Sequence, residues 1–186
     1  MAIKSFVLKM AQQRQRDIRL FRLLRPEMVE LWERIDLPVD IETGEEIPLK
    51  ADEVTVFVLR RCAEVLDRTG MVSNVKRLGD ELLYRESQAP TALGNGIAIP
   101  HVRSRNVREL VMCFLRYPEG AMMESLDNEP VYLVFGIATP YYQDDTDYKR
   151  VYRKLLAILR DDPSFRVELM EMTDPGEIVP ILRQRE

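Results

Sequence analysis

The 186-residue sequence contains one histidine, His101, and two cysteines, Cys62 and Cys113. So few nitrogen and sulfur ligands argue against a zinc site, and we expect neither a metal ion nor a cofactor. Both cysteines lie inside apolar runs, which predicts buried, reduced thiols in a cytoplasmic protein.

Long apolar runs are also missing. No stretch approaches the roughly 20 apolar residues that span a bilayer, so we expect no transmembrane segment. The apolar stretch at the N-terminus is too short and too broken for a secretory signal, which again predicts a cytoplasmic protein. The net charge of −4 and the pI near 5.3 argue against a nucleic-acid partner, because nucleic-acid binders usually present a basic face.

Charge is unevenly distributed along the chain. The first 25 residues hold seven basic residues and one acidic residue, a net of +6, so the rest of the chain carries −10. We predict a helical N-terminal extension with its linker over residues 1–45, packed on its own domain or on a second copy of the chain. A basic helix on a membrane surface is the alternative, which the scatter of the cations around the helix disfavours. The apolar positions with helical spacing are Val7, Met10, Phe21, Leu24, Met28, Leu31 and Ile35.

Residues 46–186 predict an α/β domain in which helices flank a small sheet. A turn at Thr43-Gly44 in the preceding linker is typical of a small hairpin. Short apolar runs indicate buried strands, and capping residues mark the helix starts. The expected elements are a helix over 51–70, a helix capped by Ser73 and ending near Glu86, strands over 97–99, 110–117 and 130–139, a helix from Thr146 to about Asp161, and a final helix that begins at Asp174-Pro175-Gly176-Glu177.

The single histidine follows a glycine-rich stretch, TALGNGIAIPH, over residues 91–101. Glycines at Gly94 and Gly96 leave the backbone N–H groups around Asn95 free to approach a ligand. A short strand should then deliver His101 to a surface.

Arg85 precedes this stretch, Thr91 is its first residue, and Arg103 and Arg105 follow it. Guanidinium groups, amides and a hydroxyl suit a dianionic phosphoryl group because each donates hydrogen bonds to its oxygens. A neutral imidazole such as His101 can accept that group. A histidine that serves only in packing is the alternative that the residues alone leave open.

The run RESQAPTALGNGIAIPH resembles the signature of the fructose- and mannitol-type enzyme IIA components of the sugar phosphotransferase system, which include the nitrogen-regulatory IIA proteins. The resemblance covers approximately residues 47–184. The matching positions are Arg85-Glu86, Thr91, Gly94-Asn95-Gly96, Ile99-Pro100-His101, Leu126–Val131, Val134-Phe135 and Thr139-Pro140.

The resemblance implies a type 2 IIA sandwich with a mixed sheet and a regulatory phosphoacceptor, a carrier component and not a free-standing catalyst. A phosphohistidine carrier protein of the HPr kind would donate its phosphoryl group to His101, and phosphorylation would switch the binding of a regulatory target. Arg85 would neutralise the phosphoryl oxygens, while the amides of Gly94, Asn95 and Gly96 position them. The carrier's basic face would match the acidic body of this chain.

Two departures from the family pattern affect the expected mechanism. Members that transfer phosphate usually have a second histidine where this chain has Tyr152, and Tyr152 cannot be a cation at neutral pH. A Ser-Thr pair has become Pro90-Thr91. Together with the lack of a recognisable transporter or IIB segment, these departures favour a regulatory role over a sugar-uptake relay.

The sequence is also compatible with a second function. A IIA-like interaction module could keep the fold, lose phosphotransfer, and bind partners or a second copy through the N-terminal helices. A histidine phosphatase is disfavoured because the chain lacks an Arg-His-Gly or multi-histidine motif.

Overall fold

A computed structural model describes residues 18–143 and 145–186. Within them, six strands form one mixed sheet. The strands are β1 (Val29–Glu30), β2 (Ala92–Gly94), β3 (Ile97–Ala98), β4 (His101–Ser104), β5 (Val111–Ala121) and β6 (Val131–Pro140). The expected α/β fold with a small mixed sheet is confirmed; the short strands β1 and β2, the separate β4 and the helix over Pro163–Glu171 were not predicted.

The antiparallel pair β5–β6 forms the centre of the sheet. On one side β1 runs parallel to β5, and on the other β3 and β4 lie one after the other along β6, both parallel to it. The outer strand β2 is antiparallel to β3. The register places Ile97 opposite Leu133 and His101 opposite Ile137, so His101 lies towards the C-terminal end of β6.

Five α-helices surround this sheet in the described part of the chain. They are α1 (Ala51–Asp67), α2 (Val75–Glu86), α3 (Asp145–Asp161), α4 (Pro163–Glu171) and α5 (Ile178–Arg185). α1 packs on β5, β6 and α2, while α2 packs on β4. Gly136 permits the close approach of α1, because a Cβ there would lie 2.7 Å from the Cys113 sulfur and 3.3 Å from that of Cys62. Both thiols are free and buried, as expected.

The helix boundaries follow local capping chemistry. The Asn74 side chain, not that of Ser73, caps α2 by accepting the Arg77 N–H. Asp162 caps α4 in the same way, so the break expected after Asp161 is also a helix start. The Asp174-Pro175-Gly176-Glu177 capping box forms as predicted and opens a 3-10 turn that leads into α5. The linker turns at Gly44, where Val39 pairs with Glu46 across a short hairpin.

The N-terminal segment differs from its expected form. Residues 1–17, with Val7 and Met10, lie outside the described residues. Over residues 18–35 the predicted amphipathic helix is wrong: the chain forms 3-10 turns at Leu20–Arg22 and Pro26–Met28 and then the parallel strand β1. Pro26 starts the second turn, and pairing with β5 gives the following backbone a sheet partner, which overrides helical periodicity. The apolar residues still point inward: Leu20, Leu24, Met28 and Leu31 are all buried in the common core. Of the two packing partners expected for this segment, these residues use their own domain.

Among the residues that the structure describes, no helix has the length and the apolar character of a membrane-spanning segment.

Candidate functional site

The two ring nitrogens of His101 have different partners. Nδ1 lies 2.8 Å from the carbonyl oxygen of Ile99, and Nε2 lies 3.0 Å from Arg85 Nη2. A carbonyl only accepts hydrogen bonds and a guanidinium only donates them. The proton therefore sits on Nδ1, and the lone pair of Nε2 faces Arg85. This tautomer leaves Nε2 as the nucleophilic atom of the ring.

Burial and charge keep the imidazole neutral. His101 is only 9% exposed, and this desolvation is the main reason that its pKa is lowered from the usual value. The hydrogen bond to Ile99 raises the pKa in part, and the positive charge of Arg85 lowers it again. The balance favours the neutral, nucleophilic ring.

Two tyrosines of α3 cover the imidazole. The ring of Tyr152 meets it edge-on at 5.2 Å between centroids, and the ring of Tyr148 lies tilted at 5.4 Å. The structure thus brings Tyr152 to His101, where the family pattern has its second histidine. Sequence reasoning missed Tyr148, although it precedes Tyr152 by four residues, the spacing that puts two side chains on one helix face.

Thr91 is connected to His101 through the backbone of Ile99. Its hydroxyl donates to Glu86 Oε2 at 2.6 Å and its backbone N–H to Oε1 at 2.8 Å. The Thr91 carbonyl accepts the Ile99 N–H at 3.0 Å, and the Ile99 carbonyl holds His101. The buried carboxylate of Glu86 is therefore the start of a chain of bonds that positions the imidazole. Burial raises its pKa, and the two bonds from Thr91 lower it in part.

The glycine-rich turn does not reach His101 in this geometry. It joins β2 to β3 beside Leu133, four residues along β6 from the partner of His101, or about 13 Å. The Asn95 N–H donates to Asp127 Oδ2 at 2.8 Å, and a Cβ on Gly94 would lie 2.8 Å from the same oxygen. A Cβ on Gly96 would lie 2.8 Å from the ring of Tyr132. These glycines thus allow a tight turn with φ of 87° and 74°. Phosphoryl contact by these amides stays a prediction, and it requires Asp127 to release Asn95.

A groove opens between α2 and β4 next to the histidine, and Arg85 lines it. Arg103 and Arg105, noted in the sequence, lie there as well. This face is basic, so the acidic surface expected to receive a basic carrier does not extend to the groove. The described residues contain no group of three or more His, Cys, Asp and Glu side chains that could hold a metal ion.

The comparisons with known proteins agree with this fold. The family model described as "Phosphoenolpyruvate-dependent sugar phosphotransferase system, EIIA 2" matches residues 53–185. The fructose-specific EIIABC component of Bacillus subtilis is 29% identical over 160 residues, which cover 86% of this chain and 24% of that protein. The chain therefore spans about a quarter of the length of this relative. A nitrogen regulatory protein of Bradyrhizobium diazoefficiens is 31% identical over 113 residues, 61% of this chain and 72% of that one.

Two solved structures are similar over nearly their whole length. The nitrogen regulatory protein IIA-Ntr of Neisseria meningitidis aligns with a TM-score of 0.72 at 22% identity, covering 88% of this chain and 98% of that one. IIA mannitol of Escherichia coli aligns with a TM-score of 0.63 at 25% identity, covering 86% and 98%. The first likeness shows a shared fold, and the resemblance read from residues 85–101 is confirmed by the family model. The chain belongs to the EIIA 2 family of the phosphoenolpyruvate-dependent sugar phosphotransferase system.

Proposed function

We propose that this protein is a cytoplasmic regulatory phosphoacceptor that takes a phosphoryl group from an HPr-like phosphohistidine carrier onto Nε2 of His101. The observation that carries the proposal is that each ring nitrogen of His101 has its own partner. Nδ1–H is bound to the Ile99 carbonyl, and the lone pair of the unprotonated Nε2 accepts a hydrogen bond from the guanidinium of Arg85. A neutral imidazole with an unprotonated nitrogen next to a cation is suited to accept a phosphoryl group.

The transfer balances without a metal or a base. The nitrogen–phosphorus bond on the carrier breaks as the bond from Nε2 to phosphorus forms. The Nδ1 proton stays in place, because the Ile99 carbonyl at 2.8 Å stabilises the positive charge that the ring gains. Proper positioning supplies most of what such a transfer requires.

Arg85 has to move a short distance during the reaction. Its Nη2 lies 3.0 Å from Nε2, in the space that the incoming phosphorus must enter. The guanidinium can then donate to the phosphoryl oxygens, for which its planar fork is suited. Its Nη1 bond to the Ala89 carbonyl, at 2.9 Å, keeps the side chain close to the site during this shift.

Tyr148 and Tyr152 bias the protein towards receiving phosphate. Their rings contact His101, and a phenol can donate a hydrogen bond to a phosphoryl oxygen but carries no positive charge at neutral pH. A second imidazole could carry that charge as the phosphoryl group leaves. Phosphate on His101 therefore persists and changes the charge of this face, which switches the binding of a regulatory partner.

The alternative function is a IIA-like interaction module without phosphotransfer. Its expected binding element was the N-terminal helical segment. Leu20, Leu24 and Met28 of that segment are buried in the domain core and are not available to a partner. This burial favours the phosphoacceptor.

Labelling separates the two functions. Phosphorylated HPr is incubated with the wild-type protein and with a His101→Ala variant whose fold is checked by circular dichroism. We expect an acid-labile, base-stable phosphate on the wild type and none on the variant. An unlabelled wild type, under conditions that label Escherichia coli IIA mannitol, would contradict the proposal and favour the interaction module.

A further inference from the structure

The groove between α2 and β4 is large enough for a small molecule. Its volume is about 840 Å³, within the range of pockets that hold drug-sized ligands. Five cationic side chains line it, and two carboxylates face it, those of Asp80 and Glu81. The cations are Lys76, Arg77, Arg85, Arg103 and Arg105.

Of these five cations, only Arg77 has a carboxylate partner among the described residues. Asp80 is paired with Arg60, which lies outside the groove lining. Glu81 accepts a hydrogen bond from Asn106 and lies 3.9 Å from Arg77. Across the described ranges, the other four cations of the groove have no carboxylate oxygen within 4 Å. A chain with a net charge of −4 thus concentrates uncompensated positive charge at one place, which favours an anionic ligand.

Arg103 and Arg105 are arranged around one aromatic ring. Their guanidinium carbons lie 5.4 and 5.1 Å from the ring centre of Tyr141. Arg103 Nη2 is fixed by the carbonyls of Tyr141 and Gln143, at 2.7 and 3.0 Å. The remaining guanidinium N–H groups are free to donate to phosphate oxygens, for which they are suited.

An exposed aromatic side chain lies in the same groove. Tyr84, on α2, is 72% exposed, and its ring offers a flat surface. Exposed aromatic rings next to arginines bind nucleobases by stacking while the arginines bind phosphates. We propose that this groove binds a nucleoside polyphosphate, with the phosphates at Arg103 and Arg105 and the base on Tyr84.

The groove is connected to His101 through Arg85. This guanidinium donates to Nε2 and also lines the groove, so a bound polyphosphate competes with the imidazole for it. Nucleotide binding should therefore shift the NMR signals of His101. It should also slow phosphorylation of His101, a consequence that rests on the proposed function. The binding itself requires no phosphate on the histidine.

Calorimetry with the full chain tests the groove, with ATP and inorganic pyrophosphate as probes. Arg105→Ala should weaken the binding of both about tenfold, the effect of one charge-assisted contact. Tyr84→Ala should weaken ATP binding at least fivefold and leave pyrophosphate unchanged, because only the base stacks. Arg34→Ala, which removes an exposed arginine outside the groove, is the matched control and should change neither affinity.

Each outcome decides one part of the proposal. Tighter binding of ATP than of pyrophosphate, with losses in Arg105→Ala and Tyr84→Ala, supports it. Equal affinity for ATP and pyrophosphate would overturn the assignment to a nucleotide. Tighter binding of a glutamate-rich peptide than of ATP would overturn a small-molecule ligand in favour of an acidic protein partner. If neither probe bound at low ionic strength, there would be no anion site, and the phosphoacceptor role would be untouched.

Discussion

At the scale of single residues, the chemistry depends on which nitrogen of His101 holds the proton. The backbone decides this, because the carbonyl of Ile99, two residues earlier, accepts the Nδ1–H. Arg85 then faces the unprotonated Nε2. The Ile99 carbonyl just before β4 and Arg85 at the end of α2 face the two nitrogens of one ring, and together they fix both the tautomer and the reactive atom.

The pH dependence of His101 tests this environment. Burial and Arg85 lower its pKa, so the folded protein resists a proton that the unfolded chain accepts. As the pH falls below the unfolded pKa, the free energy of unfolding should therefore decrease until the folded ring is protonated too. NMR follows the ring directly, because the chain has one histidine.

We expect the NMR midpoint of the native protein to lie below that of the chain in urea. Arg85→Ala should raise the native midpoint, because the variant loses both a positive charge and the cover over Nε2. A native midpoint at or above the unfolded one would contradict the account.

Residue chemistry and the family pattern predicted part of this site. The pairing of Arg85 with His101 and the approach of Tyr152 followed from residue types at family positions. The hydrogen bond from Thr91 to Glu86 was not predicted. Glu86 is buried, and the sequence alone does not show which hydroxyl donates to a buried carboxylate. Tyr148 was not predicted, because the family pattern marks only the position of Tyr152 on this helix.

At the scale of elements, the loop after α2 is held by one buried carboxylate. Glu86 receives two hydrogen bonds from Thr91, and removing the hydroxyl leaves the carboxylate partly unpaired. Thr91→Val should lower the free energy of unfolding by about 1–3 kcal/mol, measured in urea. Thr91→Ser keeps the hydroxyl and should lose much less. Equal losses in the two variants would show that packing, and not this bond, matters.

In the proposed function, the side chains of helix α3 determine how readily phosphorylated His101 returns its phosphoryl group to the carrier. Tyr152→His restores an imidazole against His101 and should increase the rate of return transfer from the phosphorylated protein to unphosphorylated HPr by at least tenfold. Tyr152→Phe, which keeps the ring and loses the hydroxyl, is the control and should show no such increase. A single-turnover measurement with equal rates for both variants would contradict a role for charge at this position.

Elements with strong local signals were predicted well. The capping box at the last 3-10 turn forms as predicted, and α2 begins one residue later than predicted, capped by Asn74 in place of Ser73. The sequence did not predict α4: Asp162-Pro163-Ser164 indicated only the end of α3, and the Asp162 side chain also caps the next helix. The structure of residues 18–35 was not predicted, because it depends on pairing with β5, which lies about 80 residues further along the chain. Short strands that pair with distant partners leave little trace in local periodicity.

At the scale of the whole molecule, hydrogen bonds connect the first described residues to the last residue of the chain. The Glu186 side chain accepts the N–H groups of Leu20 and Phe21, and Lys154 of α3 donates to the Ile18 carbonyl. Buried Arg116 joins the other end of this segment to α4, donating to the carbonyl of Leu31 and to those of Leu169, Met170 and Met172. Residues 18–35 therefore belong to the core of the domain, and self-association through the N-terminal segment stays a prediction.

Substitution in this segment tests whether it is part of the core. Leu24→Ala should lower the free energy of unfolding by about 2–5 kcal/mol, as for other buried leucines. Arg22→Ala, two residues away on the exposed side, should change it by no more than about 0.5 kcal/mol. A Leu24→Ala variant as stable as the wild type in urea would mean that the segment is an independent arm.

The position of the phosphate on the ring tests the central claim most directly. Long-range proton–nitrogen NMR of the phosphorylated, ¹⁵N-labelled protein distinguishes the two nitrogens of its single histidine. We predict phosphorus on Nε2 and a proton retained on Nδ1, still bonded to the Ile99 carbonyl. Phosphorus on Nδ1, or phosphate on any residue other than His101, would contradict the account.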